Sequence, residues 1–417
     1  MASEAALAGM GQAVGEERNP FVTPQFRRWW AASVVAGTGA GIQVATVPLF
    51  ITGHVSHDHR ALAISAALLA ANLPGALLAL VGGVVADRVE RRRILVRTYS
   101  VAALVSTAYV FITGFDLNAV WPVFILAAIV GSAGAFTNPA RQSMMPQILQ
   151  RSQLQNGVIF GTMAFMASFQ FVGPTVGGVV ADSVSLTVAF GCEVVLLASA
   201  GVLFSRIAVD RPVPSGRHIF GDLADGLRYA RKSSTIVGLL LLGTIPGMFL
   251  IGPFQVANPL MVKDVLHASD KFVGILWGCF GLGVFTGSVL LSIRRLPRRG
   301  LAVAFSVVFG GIFMVAFGLS ESLPLSMTML FLQGLAPAVF INFVSALLQE
   351  TTEQKMMGRV MSMYSLAFMA STPVGNVQAG LVANFWGPQP TVVASGLIAV
   401  GIGVLCVLFL RPVTRLR

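Results

Sequence analysis

The chain has 417 residues, 55% of them hydrophobic and only 11% charged, with a mean hydropathy of +0.79. A soluble domain carries roughly a quarter charged residues, so this composition excludes an ordinary soluble protein and points to one embedded in a bilayer. The formal charge of +11 would suit nucleic acid, but it sits in short clusters between apolar runs. Such clusters form no binding stripe, so no nucleic-acid partner is expected.

About 20 apolar residues cross the hydrocarbon of a membrane. Twelve runs are long enough, near 28–52, 62–86, 94–114, 119–138, 157–181, 185–205, 235–261, 272–293, 301–319, 324–346, 359–383 and 389–410. Residues 1–27 contain Glu4, Glu16 and Glu17, lack an apolar signal core and read as a cytoplasmic tail. Six helices follow over 28–205, then a linker over 206–234, six more helices over 235–411 and a short tail over 412–417. With both termini cytoplasmic, only Arg60, Lys263 and Lys271 of the 28 Lys and Arg fall outside, a pronounced positive-inside asymmetry. Cys192, Cys279 and Cys406 all lie within apolar runs, where thiols behave as small hydrophobes. Neither a disulfide nor a metal site is expected.

The linker begins with the Pro/Gly-rich Asp210–Gly216 and continues into Phe220–Lys232, where Phe220, Leu223, Leu227 and Tyr229 recur at helical spacing among charges. That pattern predicts an amphipathic helix lying at the membrane surface. The two halves also repeat. With a shift of 202 residues, Gly173–Asp182 lies on Gly375–Asn384, and Ser143–Gln147 on Ser345–Gln349, without a gap.

The second and third runs are joined by Gly82–Leu95, in which Asp87 ends one helix and Arg88, Glu90, Arg91, Arg92 and Arg93 crowd the turn. This hinge resembles the signature loop Gly-x-x-x-Asp-Arg-x-Gly-Arg-Arg of major facilitator superfamily transporters, matched by Gly83, Asp87, Arg88, Arg91 and Arg92. Glu90 stands in the place of the second glycine, which restricts access of the turn to positive φ. Ser292–Arg299 is a degraded second copy that keeps the cations and loses the acid. Parallel six-helix repeats are the architecture of that superfamily. The resemblance therefore implies an all-α membrane protein of twelve transmembrane helices in two pseudo-symmetric bundles.

Further segments sharpen the resemblance. Gly173-Pro174-Thr-Val-Gly177-Gly178 is similar to the antiporter motif of exporting facilitators, with Phe169 where the longer motif has glycine. Proline frees a backbone carbonyl and glycines let helices approach closely, so Gly173 and Gly177 are expected to tolerate nothing larger than alanine. Asn138–Leu149 and Leu348–Ser362 look like the corresponding loops of the enterobactin-exporter and macrolide-efflux branch. Gly358 and Arg359 open the eleventh helix, whose N-terminus the resemblance sets opposite Asp87 as a cytoplasmic gate latch.

Candidate chemistry is sparse. There is no phosphate-binding Gly-x-x-x-x-Gly-Lys-Ser/Thr loop, so ATP hydrolysis is not expected, nor is any cofactor or catalytic cluster. His54, His57 and His59 beside Asp58 form a solvated group in the first external loop. Glu193 is the one acid deep within a run. A charge at such depth costs about 2.5–3.5 kcal/mol on insertion scales, so it either carries protons between access states or is a neutral acid hydrogen-bonded between helices. No Arg or Lys falls in the middle of any of the twelve runs. In the family the first, fourth, seventh and tenth helices line the central cavity, which nominates Gln43, Phe136, Asn138, Gln255, Asn258, Phe340 and Asn342. Amides and aromatics suit an amphipathic solute better than a sugar phosphate or dicarboxylate.

The resemblance thus implies a secondary transporter of a bacterial inner membrane, a monomer exporting a small amphipathic molecule such as a siderophore or drug by alternating access, with protons as the second substrate. Import of a nutrient, and a non-transporting receptor on the same fold, are the rival readings.

Overall fold

The computed structural model describes residues 19–117, 119–208, 228–231, 233–293 and 298–409, with only the backbone for 79–84, 86–88, 292 and 409. Residues 1–18 of the N-terminal tail, the C-terminal tail, most of the linker helix over 220–232, and the side chains of Gly83, Asp87 and Arg88 lie outside the described residues.

With no water in the hydrocarbon, backbone groups must pair within their own segment, so apolar runs become helices. Among the described residues twelve long helices follow in order: α1 (Pro24–His54), α2 (Arg60–Arg88), α3 (Arg91–Gly114), α4 (Trp121–Ile148), α5 (Arg151–Ser183), α6 (Leu186–Ser205), α7 (Ser234–Val265), α8 (Lys271–Ile293), α9 (Arg299–Gly318), α10 (Leu323–Thr351), α11 (Met357–Trp386) and α12 (Pro388–Phe409). Eleven of these meet the length and hydropathy needed to span a membrane; α11, studded with Ser, Asn, Gln and Gly, does not. It is 30 residues long and packs in the bundle as its eleventh helix all the same. Ser185 and Ser233 cap α6 and α7, accepting from the N–H of Val188 and Ile236. Gly387, at φ 83°, turns the chain from α11 into α12, a conformation that costs glycine nothing.

Within the first half α2 packs on α4, and α3 and α1 on α6; within the second α8 packs on α10 and α9 on α12. The halves meet along two matched seams, α2 against α11 and α5 against α8, as a repeat about an axis along the membrane normal requires. Two helices carry π turns, at Ser168–Val172 in α5 and at Pro246–Ile251 and Met261–Val265 in α7. The first two each lead into a Gly-Pro pair, Gly173-Pro174 and Gly252-Pro253. Proline lacks the N–H that would close the next helical turn, and the wider turn absorbs the freed carbonyls.

The hinge between α2 and α3 does without its missing glycine. Glu90 caps α3 at φ −56°, where any residue fits, and its carboxylate takes Arg92 and Arg93 at 2.8 Å each. The family's second glycine is thus replaced by an acid that neutralises two of the hinge arginines.

Two of the expected boundaries move by six residues or more. The fourth run was bounded at 138, but α4 continues through Pro139 and Pro146 to Ile148. Arg141 therefore lies inside a helix, 4% exposed, which corrects the expectation that no cation is buried. The fifth run likewise begins six residues earlier, at Arg151.

Candidate functional site

The site is a space between the halves together with the contacts that close one end of it. We call the end bearing the α1–α2 and α7–α8 connections the far face, and the end bearing the α2–α3 hinge, the C-terminus of α6 and the N-terminus of α7 the linker face.

A cavity of about 230 Å³ lies where α1, α2, α3, α4, α5, α7 and α8 converge. Gln43 of α1, Asn72 of α2, Tyr109 of α3, Gln255 of α7 and Trp277 of α8 contribute its polar and aromatic surface. Two of the seven nominated cavity residues, Gln43 and Gln255, line it. Their amides are complementary: Gln43 Nε2 is a buried donor and Gln255 Oε1 a buried acceptor, neither with a partner. Buried orphans of this kind are rare in folded proteins and are the groups a solute would satisfy.

The other nominees lie elsewhere. Asn258 is fully buried and spends its Nδ2 donor on the Val273 carbonyl at 3.0 Å, tying α7 to α8. Phe340 lines a separate pocket inside the second half. Asn342 is exposed and donates to Ala338 O one turn back, at 2.7 Å. Phe136 packs against the cluster of Phe26, Trp29 and Tyr99, and Asn138 is exposed. Asn72, Tyr109 and Trp277 take their places. Tyr109 and Trp277 are amphipathic aromatics within runs, a signal shared with many packing residues.

The far face is closed by both seams. In α5, a methyl at Gly173 would fall 2.6 Å from Gly41 Cα, and one at Gly177 would fall 2.8 Å from Ile42 O, both on α1. Alanine itself is therefore too large at either position, a stricter limit than the sequence suggested. Gly178 faces the other way, against the backbone of Gly274 on α8, and Pro174 offers its carbonyl to the same glycine. The motif thus wedges α5 between its own half and the opposite one. On the second seam Ser65 Oγ donates to Asn376 O at 2.8 Å. Charge pairs rim the same end: Asp264 of α7 takes Arg60 at 3.5 Å and His57 at 3.7 Å from the first half, and Asp182 of α5 faces Lys271 of α8 at 3.9 Å.

At the linker face Gly358 faces open space and Arg359 donates to Met356 Sδ at 3.5 Å. Glu350 and Arg299 pair, but both belong to the second half. The Asp87 side of the expected latch lies outside the described residues. Arg91 is present with its Nε buried and unpartnered.

Among the described residues one acidic and one basic side chain are buried in the first half. Glu193 is 1% exposed; Ser106 Oγ lies 2.7 Å from its Oε1, and Oε2 has no partner. Ser106 has one proton and two acceptors in reach, Glu193 Oε1 and the Ala102 carbonyl at 2.9 Å. A neutral Glu193 that donates to Ser106, with Ser106 donating to Ala102, satisfies the count. Glu193 does not line the cavity; Tyr109 does, and its ring stacks at 4.9 Å on Phe190, one turn before Glu193. Arg141 makes no ion pair among the described residues, and its guanidinium carbon lies 3.7 Å above the Phe165 ring of α5, a cation–π contact.

A family model described as a transmembrane secretion effector matches residues 17–417, nearly the whole chain. The chain belongs to that family of major facilitator transporters. Relatives of this secretion effector include macrolide efflux protein A of Streptococcus pyogenes, 24% identical over 92% of this chain and 95% of the relative. The enterobactin exporter EntS of Citrobacter koseri is 25% identical over 94% of each. Among solved structures, the nucleoside transporter NupG superposes with a TM-score of 0.71 over 93% of this chain and 99% of its own, at 11% identity. The human organic anion transporter MFSD10 does so at 0.66 over 92% and 99%, at 15% identity. At that identity the solved structures establish the fold alone; the family match and the relatives make the chain a multi-pass membrane transporter and not an enzyme.

Proposed function

We propose that this secretion effector exports a small amphipathic compound, of the macrolide or siderophore kind that its relatives are named for, by alternating access coupled to proton entry. The observation that carries the reading is the cavity with two orphan amides, shared by both halves and closed at the far face. The arginine distribution supports a cytoplasmic linker face, and in that orientation the conformation described would load its solute from inside. Its volume is below the roughly 300–1,000 Å³ of ordinary ligand sites, so it encloses only part of a drug-sized solute and must widen as the halves rock.

In this reading Gln43 and Gln255 orient the solute by one donor and one acceptor, Tyr109 and Trp277 cover its apolar parts, and Glu193 carries the proton. The route to Glu193 runs past Tyr109, the cavity residue stacked beside it. Solute and proton need not share a pocket: each must bias the same pair of conformations.

The test uses the full chain in proteoliposomes. Inside-out vesicles given a macrolide, a catecholate siderophore and a nucleoside, with a proton gradient imposed, are expected to accumulate one of the first two. Accumulation only in right-side-out vesicles would make the protein an importer. No flux of any of the three with a well-inserted protein would retire the exporter reading.

A further inference from the structure

Among the described residues, the lining of the central cavity holds no Asp, Glu, Lys, Arg or His. Its polar side chains are three carboxamides, Gln43, Asn72 and Gln255, with the Tyr109 hydroxyl and the Trp277 N–H. The charged groups of the closed end stay outside it: Asp264 pairs with Arg60, and Asp182 with Lys271, along the far rim. Glu193 is held at Ser106, one turn after the Phe190 ring on which Tyr109 stacks. We infer that the cavity admits only uncharged solutes, and favours aromatic ones that carry a carboxamide or another group able to donate and accept at once.

Charge decides which solutes enter. An ion moving into such a space sheds its water and meets no counter-charge, a cost that neutral dipoles repay only in part. An anion finds no Arg or Lys in the walls. A cation finds the rings of Tyr109, Phe169 and Trp277, but a cation–π contact offsets only a fraction of an ion's desolvation. The same three rings suit a flat uncharged group, which stacks on them without that cost.

The amides choose among uncharged solutes. Asn72 has given an Nδ2 proton to the Leu68 carbonyl at 2.8 Å, and the Tyr109 hydroxyl reaches the Val123 carbonyl at 3.4 Å. Gln43 on α1 and Gln255 on α7 are not saturated, since Gln43 Nε2 and Gln255 Oε1 have no partner. A terminal carboxamide turns about its last side-chain bond, so each can aim a donor or an acceptor at the solute. One carboxamide on the solute answers both, accepting from one glutamine and donating to the other, and so ties the first half to the second. A carboxylate lacks the donor, and a quaternary ammonium lacks both groups. A solute bearing an acid or an amine therefore enters as its uncharged form. Assigning this preference to the exported solute rests on the exporter reading; the preference in binding does not.

The test is equilibrium binding of three ligands that share one ring system: 2-naphthamide, 2-naphthoate and (2-naphthylmethyl)trimethylammonium. The purified full-length protein is held in nanodiscs of zwitterionic lipid, with empty nanodiscs as the blank. Wild type is expected to bind the amide about tenfold or more tightly than either ion. Gln255→Glu, which sets a carboxylate in the wall, should tighten the ammonium about tenfold and weaken the amide. Gln43→Glu is read the same way should that variant not fold. Wild type that fails to bind the amide, or binds either ion as tightly, overturns the inference. So does an order of affinities that the glutamate variant leaves unchanged, since the ligands would then sit outside the cavity. Charge-selective binding without vesicle transport would retire the exporter reading and leave the preference standing. Vesicle export of a permanently charged solute overturns the preference alone.

Discussion

Gly178 of α5 and Gly274 of α8 meet backbone to backbone across the boundary between the halves. A methyl at Gly178 would lie 2.9 Å from Gly274 Cα, and one at Gly274 would lie 2.0 Å from the Pro174 carbonyl oxygen. Small-residue contacts of this kind let transmembrane helices pack closely without a hydrophobic drive. Neither neighbour can yield, because both are main chain.

Gly274→Ala is therefore expected to insert and fold but to be unable to hold the far face closed. Transport should fall at least tenfold, and a cysteine placed at Val47 in the cavity should react faster with an impermeant thiol reagent from the far face. Gly401→Ala is the control, since a methyl there meets nothing within 4 Å. Wild-type flux from Gly274→Ala would mean that the α5–α8 seam does not gate.

The amides of the cavity give a second expectation. Gln43 Nε2 and Gln255 Oε1 are buried and unsatisfied, so replacing either by Leu removes a cost from the solute-free protein. Gln43→Leu and Gln255→Leu should melt at or above the wild-type temperature, yet raise the KM for the exported solute roughly tenfold, one hydrogen bond each. The opposite pattern, lower melting with unchanged KM, would make the two amides packing residues.

Much of the fold was legible because the bilayer leaves so few choices: an apolar run of 20 residues must be a helix, and arginines mark its ends. The site was legible only where a motif names backbone contacts, as at Gly173–Gly178. Helix rotation was not. Gln255 and Asn258 are three residues apart, and the π turn at Pro246–Ile251 resets the phase of everything after it, so the sequence could not say which one faces the cavity. Arg141 was missed for a related reason. Asn138-Pro139 reads as a helix stop, but inside a bundle neighbouring helices tolerate the missing bond, and α4 runs on for ten residues.

The rim pairs predict a response to charge and salt. Asp264 holds Arg60 at 3.5 Å and Asp182 holds Lys271 at 3.9 Å, all partly exposed, and pairs of this kind contribute about 0.2–1 kcal/mol each and are screened by salt. Asp264→Asn should raise far-face reactivity of the Val47 cysteine roughly two- to fivefold, and adding Asp182→Asn should raise it further. High salt should bring wild type toward the variants. Equal labelling of wild type and both variants at low salt would show that the glycine seams alone keep this end shut.

Glu193 bears the last prediction. Its Oε1 is 2.7 Å from Ser106 Oγ on α3, its Oε2 is unpartnered, and no ion pair holds it among the described residues. An isolated charge in such a place is costly, so the carboxyl must be neutral in this conformation or gain water in another. If it is the proton carrier, Glu193→Gln fixes the neutral state. The amide can still donate to Ser106, so the fold should hold, solute binding should stay within about twofold, and export should lose its dependence on the proton gradient. If it only ties α3 to α6, Gln preserves that tie and the dependence stays, whereas Glu193→Leu, which leaves no buried orphan, should melt higher than wild type. Efflux rate against external pH in proteoliposomes separates these outcomes. A flat profile for Glu193→Gln beside a sloped one for wild type assigns the proton to Glu193; two parallel slopes assign it elsewhere, with Asp182 at the far-face end of α5 the next acid to replace.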